Sequence, residues 1–240
     1  MSSRADLRVD WCTHEAAKYA VEHWHYSRSL PPPPHVRFGV WERGQFVGCV
    51  LFARGATPEL LSPYGLAATQ GAELVRIALA THETPVSRIV AIAIRALRRK
   101  DAGLRLIVSF ADPAQGHHGG IYQAGGWIFA GDTSPSRAYI GPDGKQWHGR
   151  MVSATGQKQV FGKSRTVFRV DQCQRVDLPG KHRYLYPLDP AMRAQVAPLA
   201  RPYPKRSRVE SAENGTAIPI AGGGVNPTST LQSADPPCPE

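Results

Sequence analysis

Apolar residues recur along the first half of the chain at two periods. In WCTHEAAKYAVEHWHYSRS (11–29), Ala16, Ala17, Ala20, Val21 and Trp24 fall at helical spacing, and Thr13 can cap the start. This pattern predicts a helix that ends near His25. LPPPP (30–34) forbids both helix and central strand, so it predicts an extended loop. HVRFGVWE (35–42) and QFVGCVLFAR (45–54) predict two strands joined by Arg43-Gly44, an antiparallel hairpin. Residues 56–72 are rich in turn formers, and ELVRIALA (73–80) predicts a short apolar strand.

The strongest helical pattern is THETPVSRIVAIAIRALRRK (81–100). Thr84 is the expected N-cap and Pro85 the expected first helical residue. Val86, Ile89, Ile92, Ala93, Ala96 and Leu97 form the expected apolar stripe. Arg98, Arg99 and Lys100 close the helix, where its dipole favours cations. LRLIVSFA (104–111) predicts a fully buried strand, and GGIYQAG (119–125) a short helix closed by Gly125 or Gly126. WIFAG (127–131) and SRAYIG (136–141) predict strands, with PDGK (142–145) as a turn. The order α, β–β hairpin, β, α, β, α, β specifies an α/β fold: a mixed sheet with an antiparallel N-terminal hairpin and a central strand–helix–strand–helix unit.

Composition adds limits. The 240 residues, 42% hydrophobic, can build one good-sized core, while 23 Gly and 21 Pro imply many turns or an irregular tail. No apolar run reaches the roughly 18 residues of a membrane helix, since Arg95 interrupts RIVAIAIRAL. MSSRADLRVDW lacks the apolar stretch of a secretory signal, so a cytoplasmic location without a membrane partner is expected. Cys12, Cys49, Cys173 and Cys238 are far apart and read as scattered thiols.

The formal net charge of +10 is unevenly spread. Residues 158–208 carry twelve Lys/Arg against three Asp, whereas 209–240 carry four acids and no Lys or Arg. The expected organisation is therefore a catalytic core (1–157), a basic extension packed on it (158–208) and a disordered tail (209–240). A concentrated basic segment is the electrostatic footprint of a nucleic-acid binder. Arg37, Arg54, Lys181, Arg183, Lys205, Arg206 and Arg208 are the candidate phosphate contacts; such contacts position a duplex without reading its sequence.

The candidate chemistry lies in SFADPAQGHHGGIYQAGGW (109–127). In open α/β sheets, reactive groups gather at the carboxyl ends of central strands. Ser109 and Asp112 end one, the loop that follows carries His117 and His118, and Tyr122 sits on the next helix. Asp112 can act as a base or orient an imidazole; Asp-Pro is equally a turn starter. His25, with Asp112, His117 and His118, is the candidate metal set, a mixture that suits iron better than structural zinc.

The element order resembles the acyl-CoA N-acyltransferase (GNAT) fold. In that fold the strand before the central helix splays from its neighbour, and the helix N-terminus holds the cofactor diphosphate. The resemblance implies an acyl-CoA-like donor near Ile77, Leu79, Pro85, Val86 and Ser87, and a tyrosine, Tyr122, that protonates a leaving thiolate. THETPVS (81–87), however, has no glycine and carries Glu83. More narrowly, EHWHYS, FGVWERGQFVGCVLFARG, ELVRIAL, SRIVAIAIRAL, LIVSFADPAQGHHGGIYQAGGW and KHRYLYPL together resemble the phage Mom-type DNA modification proteins across roughly residues 10–190. That resemblance implies conversion of adenine in double-stranded DNA to N6-carbamoylmethyladenine, protection from restriction, an association with iron, and a site role for His25, Tyr26 and Ser27. Acetylation of a small amine or protein, and DNA binding without catalysis, are the alternatives.

Overall fold

The computed structural model describes residues 6–205 apart from 56 and 161. In chain order the strands are β1 (Leu7–Trp11), β2 (His35–Glu42), β3 (Gln45–Ala53), β4 (Gly71–Leu79), β5 (Leu106–Ala111) and β6 (Ile128–Asp132). They continue as β7 (Ser136–Ile140), β8 (Gln146–His148), β9 (Val152–Ser153), β10 (Gln157–Val160), β11 (Lys163–Thr166), β12 (Phe168–Arg169), β13 (Gln174–Leu178) and β14 (His182–Pro187). The α-helices are α1 (His14–Trp24), α2 (Val86–Lys100), α3 (Gly120–Ala124) and α4 (Pro190–Val196). Seven strands form the main sheet in the order β1-β2-β3-β4-β5-β14-β6. Its one parallel pair is β4–β5, bridged by α2. This is the mixed α/β sheet expected from the element order.

Helices cover both faces because the central strands are apolar on both. On β3, Cys49 and Leu51 meet Ala17, Ala20 and Val21 of α1, while Val50 and Phe52 point the other way into the cluster containing Ile89, Val90 and Ala93 of α2. On β5, Leu106 and Val108 pack with Met192 and Val196 of α4, and Ile107 and Ala111 join the α2 cluster. Thr13 caps α1 as expected, its hydroxyl accepting from the Ala16 N–H at 3.1 Å. Arg43 and Gly44 turn the β2–β3 hairpin with φ of 52° and 78°, the left-handed pair that matches the twist of the strands.

Three expectations are corrected, and one strand is added: Trp11 ends an edge strand, β1, which runs antiparallel to β2 just ahead of the Thr13 cap. Pro85, not Thr84, is the N-cap of α2: its carbonyl accepts from the Ile89 N–H, while the Thr84 hydroxyl and N–H bond to Glu42. The buried stripe of α2 is Ile89, Val90, Ala93, Ile94 and Leu97, with Ile92 only half-buried. Lastly, the stretch 158–208 is not wholly an addition to the core. Its strand β14 pairs with both β5 and β6 inside the main sheet, where Tyr184 and Leu185 are fully buried. The expected tail, 209–240, lies outside the described residues. Among the described residues, no helix is long and apolar enough to cross a membrane.

Candidate functional site

The site begins where two parallel strands part. β4 and β5 pair from Gly71–Leu106 to Leu74–Ser109. Beyond that point β4 follows β3 to Leu79 and β5 follows β14 to Ala111, which leaves a fork. Ser109, with no exposed surface, pins the fork. Its Oγ lies 2.8 Å from the Leu74 carbonyl and 2.8 Å from the Tyr122 hydroxyl. A carbonyl can only accept, so the single Ser109 proton goes to Leu74 and the Tyr122 hydroxyl donates to Ser109. Burial pushes the Tyr122 phenol up to about 12, against the smaller opposing effect of its bond with Ser109. A register shift leaves Val75 opposite no β3 residue, between Leu74–Phe52 and Arg76–Leu51.

A cleft of about 340 Å³ occupies the fork. Trp24, His25 and Tyr26, at and beyond the end of α1, line one part of it. Ile121 and Tyr122 of α3 and His117 line another, with Arg76, Ile77 and Phe110 between. α1 stops here because the His25 backbone turns extended (φ −110°, ψ 136°) while its N–H still bonds to the Val21 carbonyl. The His25 Nδ1 accepts from the Ser27 N–H at 3.1 Å and lies 2.8 Å from the Ser27 hydroxyl. A neutral His25 therefore carries its proton on Nε2. Burial, then the charges of Arg76 and His117, lower the His25 pKa to about 4, so the ring is neutral at physiological pH. The Tyr26 ring is half-exposed and meets the His117 ring edge-on at 5.3 Å. Arg76 bonds to the carbonyls of Val75 (2.7 Å) and Ser29 (3.4 Å), which fixes its guanidinium on the wall.

A parallel fork holding His25, Tyr26, His117 and Tyr122 brings together blocks that lie almost a hundred residues apart in sequence. The Mom protein family matches residues 6–205 of this chain. The chain belongs to the Mom family. No curated protein sequence matches it. Its fold is similar to that of the spermidine N-acetyltransferase of Vibrio cholerae, at 10% identity and a TM-score of 0.42, over 79% of this chain and 96% of that one. It is also similar to a Bacillus subtilis acetyltransferase in complex with CoA, at 12% identity and a TM-score of 0.40, over 78% and 100% of the two chains. A third similar structure is an N-acyl amino acid synthase from uncultured soil microbes, at 14% identity and a TM-score of 0.40, over 82% and 98%.

In this Mom-family chain, His25, Tyr26, His117 and Tyr122 share the cleft, Ser27 braces His25, and Ser109 braces Tyr122. Asp112 is built differently. Its Oδ1 accepts from the Ala114 N–H at 3.0 Å, which caps a short turn, and its Oδ2 lies 3.2 Å from the Lys181 Nζ. It does not line the cleft. The expected metal set is corrected accordingly. Among the described residues, no three His, Cys, Asp or Glu side chains form a group that could hold a metal ion. His25 and His117 reach the cleft, Asp112 is tied to Lys181, and the His118 ring lies over Gly120. An iron ion therefore does not fit the set His25, Asp112, His117 and His118 as they stand.

Of the expected donor-binding residues, Ile77 lines the cleft, Leu79 pairs with Gly48, and Pro85, Val86 and Ser87 form the start of α2. The expected phosphate contacts are scattered. Lys181 and Arg183 lie at the start of β14, beside the end of β5, because His182 pairs with Ala111. Lys205 is exposed. Arg37 and Arg183 bury their Nε atoms, and Arg54 lines a separate cavity of about 300 Å³ beside Gly71 and Leu104. Arg206 and Arg208 lie outside the described residues. Sequence reasoning missed Glu42, whose partners Glu83 and Thr84 are 41 and 42 residues away, with no local spacing to mark them.

Proposed function

We propose that this chain modifies DNA, transferring a small group to the exocyclic N6 amine of adenine in a duplex to give N6-carbamoylmethyladenine, and so shields that DNA from restriction. Membership of the Mom family over residues 6–205 carries the reading. The cleft supports it chemically. The N6 amine of a paired adenine lies within the stack, so the base must swing out to react. Tyr26, half-exposed at the cleft, offers a face on which such a base can stack. The His25 Nε2–H and the Arg76 guanidinium are donors suited to the acceptor nitrogens of the purine. N6 attacks the electrophilic carbon of the donor; a C–N bond forms and the leaving group departs with its electron pair. The proton lost from N6 passes to the His117 imidazole. Lys181 and Arg183, at the start of β14, and the exposed Lys205 bind duplex phosphates. Asp112 holds Lys181 in place there.

The test is expression beside a plasmid, digestion of that plasmid to nucleosides, and mass spectrometry. A heavier deoxyadenosine is expected, its exact mass identifying the group as carbamoylmethyl. Acetylation of another amine, or plain DNA binding, leaves deoxyadenosine unchanged. Unmodified deoxyadenosine from cells holding folded protein therefore overturns the reading.

A further inference from the structure

The loop from Ala80 to Pro85 leads from the fork strand β4 into α2. In the acyltransferase fold that the sequence resembles, this is the seat of a cofactor diphosphate, because a helix start presents N–H groups to an anion. In this chain a carboxylate of its own takes two amides of that loop, just ahead of the N-cap Pro85. Glu42 ends β2 and is only 7% exposed. Its Oε2 accepts from the Glu83 N–H and its Oε1 from the Thr84 N–H, both at 2.8 Å. Two consecutive amides thus hold the two oxygens of one anion, as they would two oxygens of a phosphate. Burial alone would raise this carboxyl. The bonds from the Thr84 hydroxyl and from the two backbone amides outweigh burial and hold its pKa below the usual carboxylate range. Glu42 is therefore charged at neutral pH.

The surroundings reinforce the closure. Glu83 projects from the same loop and pairs with Arg43 at 2.7 Å. The loop contains no glycine to let the backbone wrap a phosphate. An incoming diphosphate would have to expel Glu42, leave a buried carboxylate without its donors, and sit beside Glu83. Like charge and lost hydrogen bonds both oppose that exchange.

We infer that Glu42 closes the Glu83 and Thr84 amides to an outside anion, so that this loop does not seat the diphosphate of an acyl-CoA-like cofactor.

The full chain, labelled with ¹⁵N, is titrated with coenzyme A to millimolar concentration while the Glu83 and Thr84 amide resonances are followed. They are expected to stay in place, whether or not coenzyme A touches another surface. Saturable shifts at those two amides overturn the closure. Glu42→Gln keeps one oxygen acceptor and removes the charge, so both amides should exchange with solvent about tenfold faster or more. Unchanged exchange in this variant also overturns the closure. Neither measurement involves DNA or turnover, so their failure is separate from a failure to find modified deoxyadenosine.

Discussion

Replacing Ser109 by alanine tests whether the fork is pinned as the hydrogen bonds indicate. Ser109 is fully buried, donates to the Leu74 carbonyl and accepts from the Tyr122 hydroxyl, each at 2.8 Å. Alanine removes both partners at once. Each buried group left unpaired costs about 1–3 kcal/mol, so the loss should be about 2–6 kcal/mol, well above that of an ordinary surface change. Tyr122→Phe leaves the Ser109–Leu74 bond in place and should cost only about 1 kcal/mol. The decisive quantity is the double variant. With Ser109 already alanine, Tyr122→Phe removes an orphaned phenol, so it should be neutral or stabilising. The assay is equilibrium urea unfolding followed by tryptophan fluorescence; the Trp127 ring lies 5.0 Å from that of Tyr122 and reports directly on this corner. At a slope of about 2 kcal/mol per molar urea, a loss of about 3 kcal/mol lowers the midpoint by about 1.5 M. A Ser109→Ala midpoint within about 0.5 M of wild type, or strictly additive costs in the double variant, would refute the bonding scheme.

Three other outcomes are expected. The His25 pKa is about 4 in the folded chain against an ordinary 6.5, so the unfolded chain binds the proton more readily; the stability contributed is complete above about pH 6.5 and lost as pH falls through 4. His25→Gln should therefore show a shallower fall in urea midpoint over that window, and a fall as steep as wild type's counts against a buried neutral ring. At Gly119, φ is +82° and a Cβ would overlap the Tyr184 ring, whereas at Gly126 φ is +70° with open space around it. Gly126→Ala should cost about 1–2 kcal/mol and Gly119→Ala clearly more, and equal melting temperatures would deny the overlap. Asp112→Asn keeps an oxygen for the Ala114 N–H and loses only the charge that pairs with half-exposed Lys181, so its unfolding free energy should stay within about 1 kcal/mol of wild type. A larger loss would mean that the carboxylate supports the fold by some other route.

Much of the site was legible because it is written in compact blocks. The break after α1 at HWHYS and the glycine-flanked GHHGG loop are local signals, and the structure brings His25, Tyr26 and His117 from them into one cleft. Asp112 shows the opposite case. Asp-Pro at a strand end reads equally as a reactive carboxylate or a turn cap; the bond to Ala114 N–H and the pairing with Lys181, almost seventy residues on, supply the turn geometry. Edge strand β1 was missed because LRVDW turns only Leu7 and Val9 inward, too short an alternation to register.

By itself the sequence determined the elements whose cause is local. Thr13 caps α1, Arg43-Gly44 turns the hairpin, and the periodicity of 86–100 makes α2. It also determined membership of the Mom family, which spreads over residues 6–205. Only the tertiary structure decided what depends on distant partners. β14 enters the main sheet because its apolar Tyr184 and Leu185 fill the gap between β5 and β6. Just ahead of α2, Glu42 from another strand claims the amides of Glu83 and Thr84. A buried carboxylate takes whichever donors the fold brings to it, and no spacing along the chain records which those are.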